Sequence, residues 1–367
     1  MMFKNNKVVI AGAAVVVLLL ILGGFLIWGG EEVYEPSRVE EAVFIEPRDD
    51  IELDDPYADV DWNTYGQHKA NLHTHTRESD GLYSVGRVID SYHNRGYDIL
   101  AIADHNHVTW PWEDYNRNPD ELKMLAVQAN EISDTHHIGS YFNDYNIDDG
   151  RNYIPVFASI FAGEPADISE EEVIREIGRN NGLAVFFHPG RYDDTAGYYA
   201  HFYKKYDHLV GMEVVNQLDR YPQDRAKWDN VLTMLMPERP VWGFSNDDSH
   251  RLGHVGHCYN VFLLPELKET AFRSAMETGQ FYFANGKDSP QLQEIEVNND
   301  AGTVRIATEA DVTVKWFSNG VIIAEGETLN FRQSANVGSY IRAEVTGEGG
   351  TTYTQPFAVR EQAVEQS

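Results

Sequence analysis

Ala70-Asn71-Leu72-His73-Thr74-His75-Thr76 opens as a short apolar run and closes on an extended His-x-His. Ile99-Leu100-Ala101-Ile102-Ala103-Asp104-His105-Asn106-His107 then repeats the arrangement. Residues i and i+2 of an extended strand face the same side, so His73 and His75 can chelate one ion. The same grammar continues along the chain. The run 124–129 leads into Asn130-Glu131-Ile132-Ser133 and His136-His137, and the run 183–187 into His188-Pro189-Gly190-Arg191. The run 240–244 leads into Ser245-Asn246-Asp247-Asp248-Ser249-His250, and Ser79-Asp80-Gly81 follows the first strand.

Seven apolar runs, at 70–72, 99–103, 124–129, 153–160, 183–187, 210–215 and 240–244, alternate with helical spacing at 85–95, 170–180, 223–236 and 269–278. Strands alternating with helices imply an α/β fold with a mostly parallel sheet, and the strand count favours a barrel. The carboxyl ends of barrel strands share one rim, where active sites are built. A lone His-x-His, Asp-His or His-Pro is weak; their joint appearance at successive strand ends points to one metal pocket. Imidazole nitrogens and carboxylate oxygens suit zinc, manganese or iron.

The chain has 367 residues, with 58 Asp or Glu against 29 Lys or Arg and a net charge of -29. That acidity argues against a groove for duplex nucleic acid. A single cysteine, Cys258, excludes intramolecular disulfides and Cys-rich metal sites. Residues 8–28 are uncharged and apolar, long enough as a helix to span a bilayer core of about 30 Å. Lys4 and Lys7 precede them and Glu31, Glu32 and Glu35 follow, which places the remainder of the chain outside the cytoplasm. No small-x-small cleavage site stands out, so the reading is a signal-anchor; cleavage would instead give a secreted protein.

The expected organisation is a transmembrane segment at 1–30, an acidic linker at 31–60, a catalytic domain at 61–290 and a small all-β, Ig-like sandwich at 291–360. The linker carries twelve acidic and two basic residues. The sandwich reading rests on short alternating runs at 303–306, 312–317, 321–324 and 340–345. No histidine lies beyond His257, so the sandwich reads as a structural or docking module with an unknown partner.

In order, His-x-His-Thr, Ser-Asp-Gly, Ala-Asp-His-Asn, a Glu with a nearby His, His-Pro and Asp-x-His resemble the PHP (polymerase and histidinol phosphatase) superfamily of metal-dependent phosphoesterases, over roughly residues 66–290. The resemblance implies a distorted seven-stranded, TIM-like (β/α) barrel with three divalent ions. On it, His73, His75, Glu131 and Asp248 would hold the first ion, and Glu131 would bridge to a second held by His137 and His188. Asp80, His105 and His250 would hold the third. The resemblance favours His137 over His136, and the Asp-x-His spacing favours Asp248 over Asp247. Some relatives carry His at the position of Asp80, which leaves the third ion open.

Six positive charges against three carboxylates give a pocket that attracts anions inside an acidic protein. The implied reaction is hydrolysis of a small phosphate ester by metal-activated hydroxide. Arg191 is a candidate phosphate clamp, or a loop arginine paired with Asp193 or Asp194; Arg77 is a lesser candidate. His107 is a candidate general acid, or merely lines its loop. His254 and His257 read as supporting residues. Two alternatives stand beside this: a carbaryl-hydrolase-type enzyme cleaving a carboxylic or carbamic ester, and a surface binding protein with a metal-stabilised scaffold. An ester panel separates the first two, and absence of any turnover would select the third.

Overall fold

Ile51 and Leu53 are buried while Glu52 and Asp54 face out, the period-2 signature of a half-buried strand. This strand, β1 (Ile51–Asp54), pairs antiparallel with the last strand, Phe357–Glu361. The acidic linker expected over 31–60 is therefore structured in its final part, because two apolar side chains among the acids suffice to fix a strand against an open sheet edge. The computed structural model describes residues 44–134, 136–147, 168–308 and 311–362. The apolar segment 8–28 and the candidate strand 153–160 lie outside them. Among the described residues no helix is long and apolar enough to cross a membrane.

Strands β2 (Gly66–Asn71), β3 (Ile99–Ala101) and β4 (Leu125–Val127) run parallel. β5 (Ala129–Ser133) and β6 (His137–Tyr141) form an antiparallel hairpin. β6 pairs antiparallel with β7 (Leu183–Phe186), which continues in parallel to β8 (Leu209–Asn216) and β9 (Trp242–Asn246). β10 (Cys258–Leu264) lies antiparallel between β2 and β11 (Phe281–Asp288). Two isolated parallel bridges, Thr74 with Ser249 and His105 with Glu131, link the two groups near the strand ends.

The architecture is mixed α/β, and among the described residues the pairing does not show the expected distorted seven-stranded (β/α) barrel. The described strands fall into sheets of eleven, five and three. The run read as one strand at 124–129 is two, β4 and β5, and the three residues between β5 and β6 permit only a hairpin, since a parallel return needs a dozen or more. The helix Val85–His93 buries Val85, Val88, Ile89 and Tyr92 on one stripe. The helix Glu170–Arg179 starts at Ser169, whose side chain accepts from the Glu172 backbone N–H, and three acids occupy its first turn. The helix Ala196–Tyr203 escaped the sequence reading because Tyr199, Ala200, Phe202 and Tyr203 bury more than one face.

The C-terminal strands do not form a separate body. β11 pairs with Gly349–Tyr353, so the sheet continues across residue 290. Val85, Tyr92 and Leu100 share one core with Ile295, Trp316 and Val345. Arg342 is buried and holds Asp229 of the helix Asp224–Leu235 with two bonds of 2.7 Å, and the Tyr340 hydroxyl donates to the same carboxylate at 2.7 Å. Gln355 exchanges two 2.9 Å hydrogen bonds with the Gly243 backbone of β9. The C-terminal strands thus brace the strand that leads to Asp248.

Candidate metal centre

The loop after β2 is anchored before it reaches the site. Asp104 accepts from the Thr76 N–H (2.6 Å), the Thr76 hydroxyl (2.6 Å), the Ser79 hydroxyl (2.7 Å) and the Thr109 hydroxyl (2.6 Å). Four donors on one buried carboxylate fix the turn that presents Asp80. At β9 the adjacent acids divide their work. Asp247 accepts backbone N–H bonds from Gly256, His257 and Cys258 at 2.7–3.0 Å. Asp248 turns the other way, with φ at 42°, a left-handed conformation that costs a non-glycine residue about 1–3 kcal/mol and clusters at functional sites.

Glu131 stands at the centre. Its Oε2 lies 3.4 Å from His73 Nε2, 3.3 Å from His75 Nε2 and 3.0 Å from His105 Nδ1. Its Oε1 lies 2.6 Å from His137 Nδ1 and 3.3 Å from His188 Nε2. Asp248 Oδ1 closes one side, 3.4 Å from His73 Nε2 and 3.1 Å from His75 Nε2. Asp80 Oδ2 closes another, 3.6 Å from His105 Nε2 and 3.2 Å from His250 Nε2. All nine side chains singled out as ligands therefore meet in one cluster, drawn from six separate stretches of chain.

The neighbours are also sorted. His137 faces Glu131, whereas His136 turns away to Glu170 (2.7 Å) and Asp194 (3.0 Å). Arg191 is exposed, with Nη1 3.4 Å from His137 Nε2, and among the described residues it pairs with neither Asp193 nor Asp194. His107 is exposed and is not brought to the cluster. The Arg77 guanidinium donates to the Leu82 carbonyl at 2.8 Å. His254 accepts at Nε2 from Arg251 at 2.7 Å.

Sequence reasoning missed Glu213. It is fully buried in β8, its Oε1 lies 2.8 Å from His73 Nδ1, and its Oε2 accepts the His188 N–H at 2.9 Å. Asn216 and Asn246 each donate to it at 2.9 Å. The available signal was a lone acid inside the apolar run 210–215, since an unpaired buried carboxylate is too costly to be idle. Phe187 stacks on His73 with ring centroids 3.8 Å apart. Gly139 makes room for it: a Cβ there would fall 2.3 Å from Phe187 Cζ.

The electrostatics follow from crowding. Burial opposes ionisation of Glu131, yet the charges of His137, His105 and His73 together hold it well below the usual carboxylate range. Burial pushes His137 down to about 3 against the pull of Glu131. Burial, His250 and His105 lower His75, whereas burial of His250 is outweighed by Asp248 and Asp80, which raise it to about 9.

The residues fit divalent cations. Among the described residues His75 Nδ1 is buried without a hydrogen-bond partner, and the Nε2 atoms of His73 and His75 approach to 3.1 Å. Lone pairs crowded together in a water-poor site call for positive charge between them. Four overlapping groups, each with ligand atoms within 4.8 Å of one another, could hold a metal ion: His75, Asp80, His105 and His250; His73, His75 and Glu131; His73, His188 and Asp248; His105, Glu131 and His137.

No family model and no curated protein matches the chain. Among solved structures it is similar to a two-domain protein from Bacteroides vulgatus containing a predicted PHP-like metal-dependent phosphoesterase, at 13% identity and a TM-score of 0.49, covering 87% of this chain and 92% of that one. It is also similar to an amidohydrolase from Chromobacterium violaceum, at 19% identity and a TM-score of 0.40, over 58% and 96%. A third is a lesion-specific endonuclease from Pyrococcus furiosus, at 14% identity and a TM-score of 0.38, over 58% and 56%. The functional reading rests on the site itself.

Proposed function

We propose that this chain is a metal-dependent hydrolase of a small phosphate ester, with a PHP-type centre of three divalent ions held by His73, His75, Asp80, His105, Glu131, His137, His188, Asp248 and His250. The observation that carries this reading is the convergence of five of those side chains, His73, His75, His105, His137 and His188, on the two oxygens of one buried carboxylate, Glu131, with Asp80, Asp248 and His250 closing the cluster through the same histidines. Bound divalent cations would supply Lewis acidity that activates water and polarises a phosphoryl oxygen.

The protein's own groups do the rest. Glu213 orients the His73 ring through Nδ1 and fixes the His188 backbone, so the first and second ion positions share one support. Three divalent ions against Asp80, Glu131, Asp248 and Glu213 leave about two net positive charges, fewer than the ligand carboxylates alone suggest but enough to favour an anion. Arg191 lies beside His137, where a guanidinium can take two phosphoryl oxygens. His107 has no role in this reading. The apolar segment 8–28 would tether the enzyme with its site outside the cytoplasm.

The test is elemental analysis of the purified full-length chain in detergent, with turnover of 4-nitrophenyl phosphate and 4-nitrophenyl acetate before chelation, after it, and after single ions are restored. Metal-dependent turnover of the phosphate supports the proposal. Turnover of the acetate alone would select the carboxylic-ester alternative, and bound metal with no turnover the binding-protein alternative.

A further inference from the structure

The mouth of the site carries positive charge that the ligand set does not require. Among the described exposed arginines, Arg179 pairs with Glu176 and Arg360 with Asp54, whereas Arg77, whose guanidinium donates to the Leu82 carbonyl, Arg87 and Arg95 form no ion pair. Arg191, Arg220 and Arg251 are exposed, and among the described residues none forms an ion pair. Each lies on a loop that carries or adjoins the cluster.

The nearby acids are already engaged. Asp194 is held by His136 at 3.0 Å, away from Arg191. Asp219, adjacent to Arg220, is taken by Arg225 through two bonds of 2.7 and 2.8 Å. Asp248, next but one to His250, faces His73 and His75. The charges of Arg220 and Arg251 are thus left facing solvent at the rim.

The loop that presents Arg220 is built under strain. Gln217, Leu218 and Asp219 have φ of 41°, 59° and 63°, and left-handed backbone costs a non-glycine residue about 1–2 kcal/mol. Bonds to the site offset this: Gln217 Nε2 donates to the Asp248 carbonyl at 2.9 Å, and the Gln217 N–H to the Asn246 carbonyl at 3.1 Å. The result places Tyr221 with its ring centroid 5.9 Å from that of His188, and the Arg220 guanidinium 5.2 Å over the Tyr221 ring. Arg251, one residue after His250, donates to His254 at 2.7 Å. Arg220 Nη1 donates to Gln217 Oε1 at 3.1 Å, and Gln217 in turn holds the carbonyl of Asp248, three residues before Arg251, so the two arginine-bearing loops are tied to the same segment.

We propose that Arg220 and Arg251 hold a second anionic group of the substrate, distal to the scissile phosphate that Arg191 faces, with Tyr221 fixing the Arg220 guanidinium. This rests on the hydrolase reading and narrows it to phosphate esters whose leaving part carries a carboxylate or a further phosphate. A stacked guanidinium keeps its donors in plane for such a group at little further entropic cost.

The test measures binding, so that it does not depend on turnover. Manganese-loaded full-length protein is titrated calorimetrically with ethylphosphonate, 2-carboxyethylphosphonate and ethylene-1,2-diphosphonate. One or both doubly anionic probes should bind about ten-fold or more tightly than ethylphosphonate, the gain expected of a charge-assisted contact. Which probe gains identifies the second group as carboxylate or phosphate. Arg220→Gln and Arg251→Gln should each shrink that gap and leave ethylphosphonate unchanged. Equal affinities for all three probes, absence of binding, or a gap that survives in both variants would overturn the inference. Selective binding by a protein that hydrolyses no phosphate ester would instead remove the proposed reaction and leave the rim assignment standing.

Discussion

Glu213 Oε1 lies 2.8 Å from His73 Nδ1 at the floor of the site, with both side chains fully buried. The second oxygen of the same carboxylate holds the His188 backbone, so one side chain sets two parts of the cluster. Glu213→Gln keeps the size but removes the charge, and apparent metal affinity should fall about 10- to 100-fold. Competition against a graded chelator series reads this directly; an unchanged affinity would show that Glu213 does not support the ligands.

His136 and His137 make opposite expectations testable. His137→Gln removes an imidazole 2.6 Å from Glu131 and should lower the bound metal per chain. His136→Gln breaks contacts to Glu170 and Asp194 and should leave metal content unchanged while lowering the unfolding temperature. Loss of metal in the His136 variant alone would reverse the assignment.

Chelation should destabilise the fold as well as stop any reaction. A ligand present at about 1,000 times its Kd stabilises by about 4 kcal/mol, so stripping a tightly bound ion lowers the denaturant midpoint, and restoring one competent ion brings it back. An identical midpoint with and without chelator would mean that no ion binds the native state selectively.

Arg342 and Asp229 are almost fully buried and doubly bonded. Arg342→Met leaves the Asp229 carboxylate inside without its partner, and the expected cost is about 3–5 kcal/mol in a denaturant titration. Replacing both residues by apolar ones of similar size should recover much of that loss. A single variant as stable as the parent would show that the pair contributes little to holding the C-terminal strands on the helix Asp224–Leu235.

Asp55 gives the pH dependence a sign. Burial raises its carboxyl to about 6 against the Tyr57 N–H bond, which pulls the other way. The folded state therefore binds this proton more tightly than the unfolded chain, whose carboxyl titrates near 3.9. The stability linked to it is full below about pH 4 and is lost as pH rises through 6. Asp55→Asn should accordingly be more stable than the parent at pH 7.5 and nearly equal at pH 4. Melting curves at the two values check it, and the opposite order would contradict the assignment.

The nine candidate ligands were legible chiefly because their ordered motifs resemble the PHP superfamily, local spacing alone pairing His73 with His75. His73 and His75 share one side of an extended segment whatever it packs against, whereas Asp248 and His250 lie beyond the end of β9 with Asp248 left-handed, so that pair is brought together by the turn. The choice between adjacent candidates was less legible. His136 and His137, like Asp247 and Asp248, differ only in the direction each side chain leaves the backbone, and that is set by strand pairing and by left-handed φ at Asp248. Glu213 was missed because its partners, His73 and His188, are far from it in sequence.

By itself the amino-acid sequence determined the alternation of strands and helices, the gathering of metal-ligating residue types at the strand ends and the acidic character of the whole, since each depends on neighbours along the chain. Only the tertiary structure decided the antiparallel return of β6, the continuation of the main sheet into the C-terminal strands, and the placement of Arg220 and Arg251 on loops next to the cluster without carboxylate partners among the described residues. These depend on which distant groups compete for the same hydrogen bonds and charges, as Arg225 does in taking Asp219 from Arg220, and that competition exists only once the chain is folded.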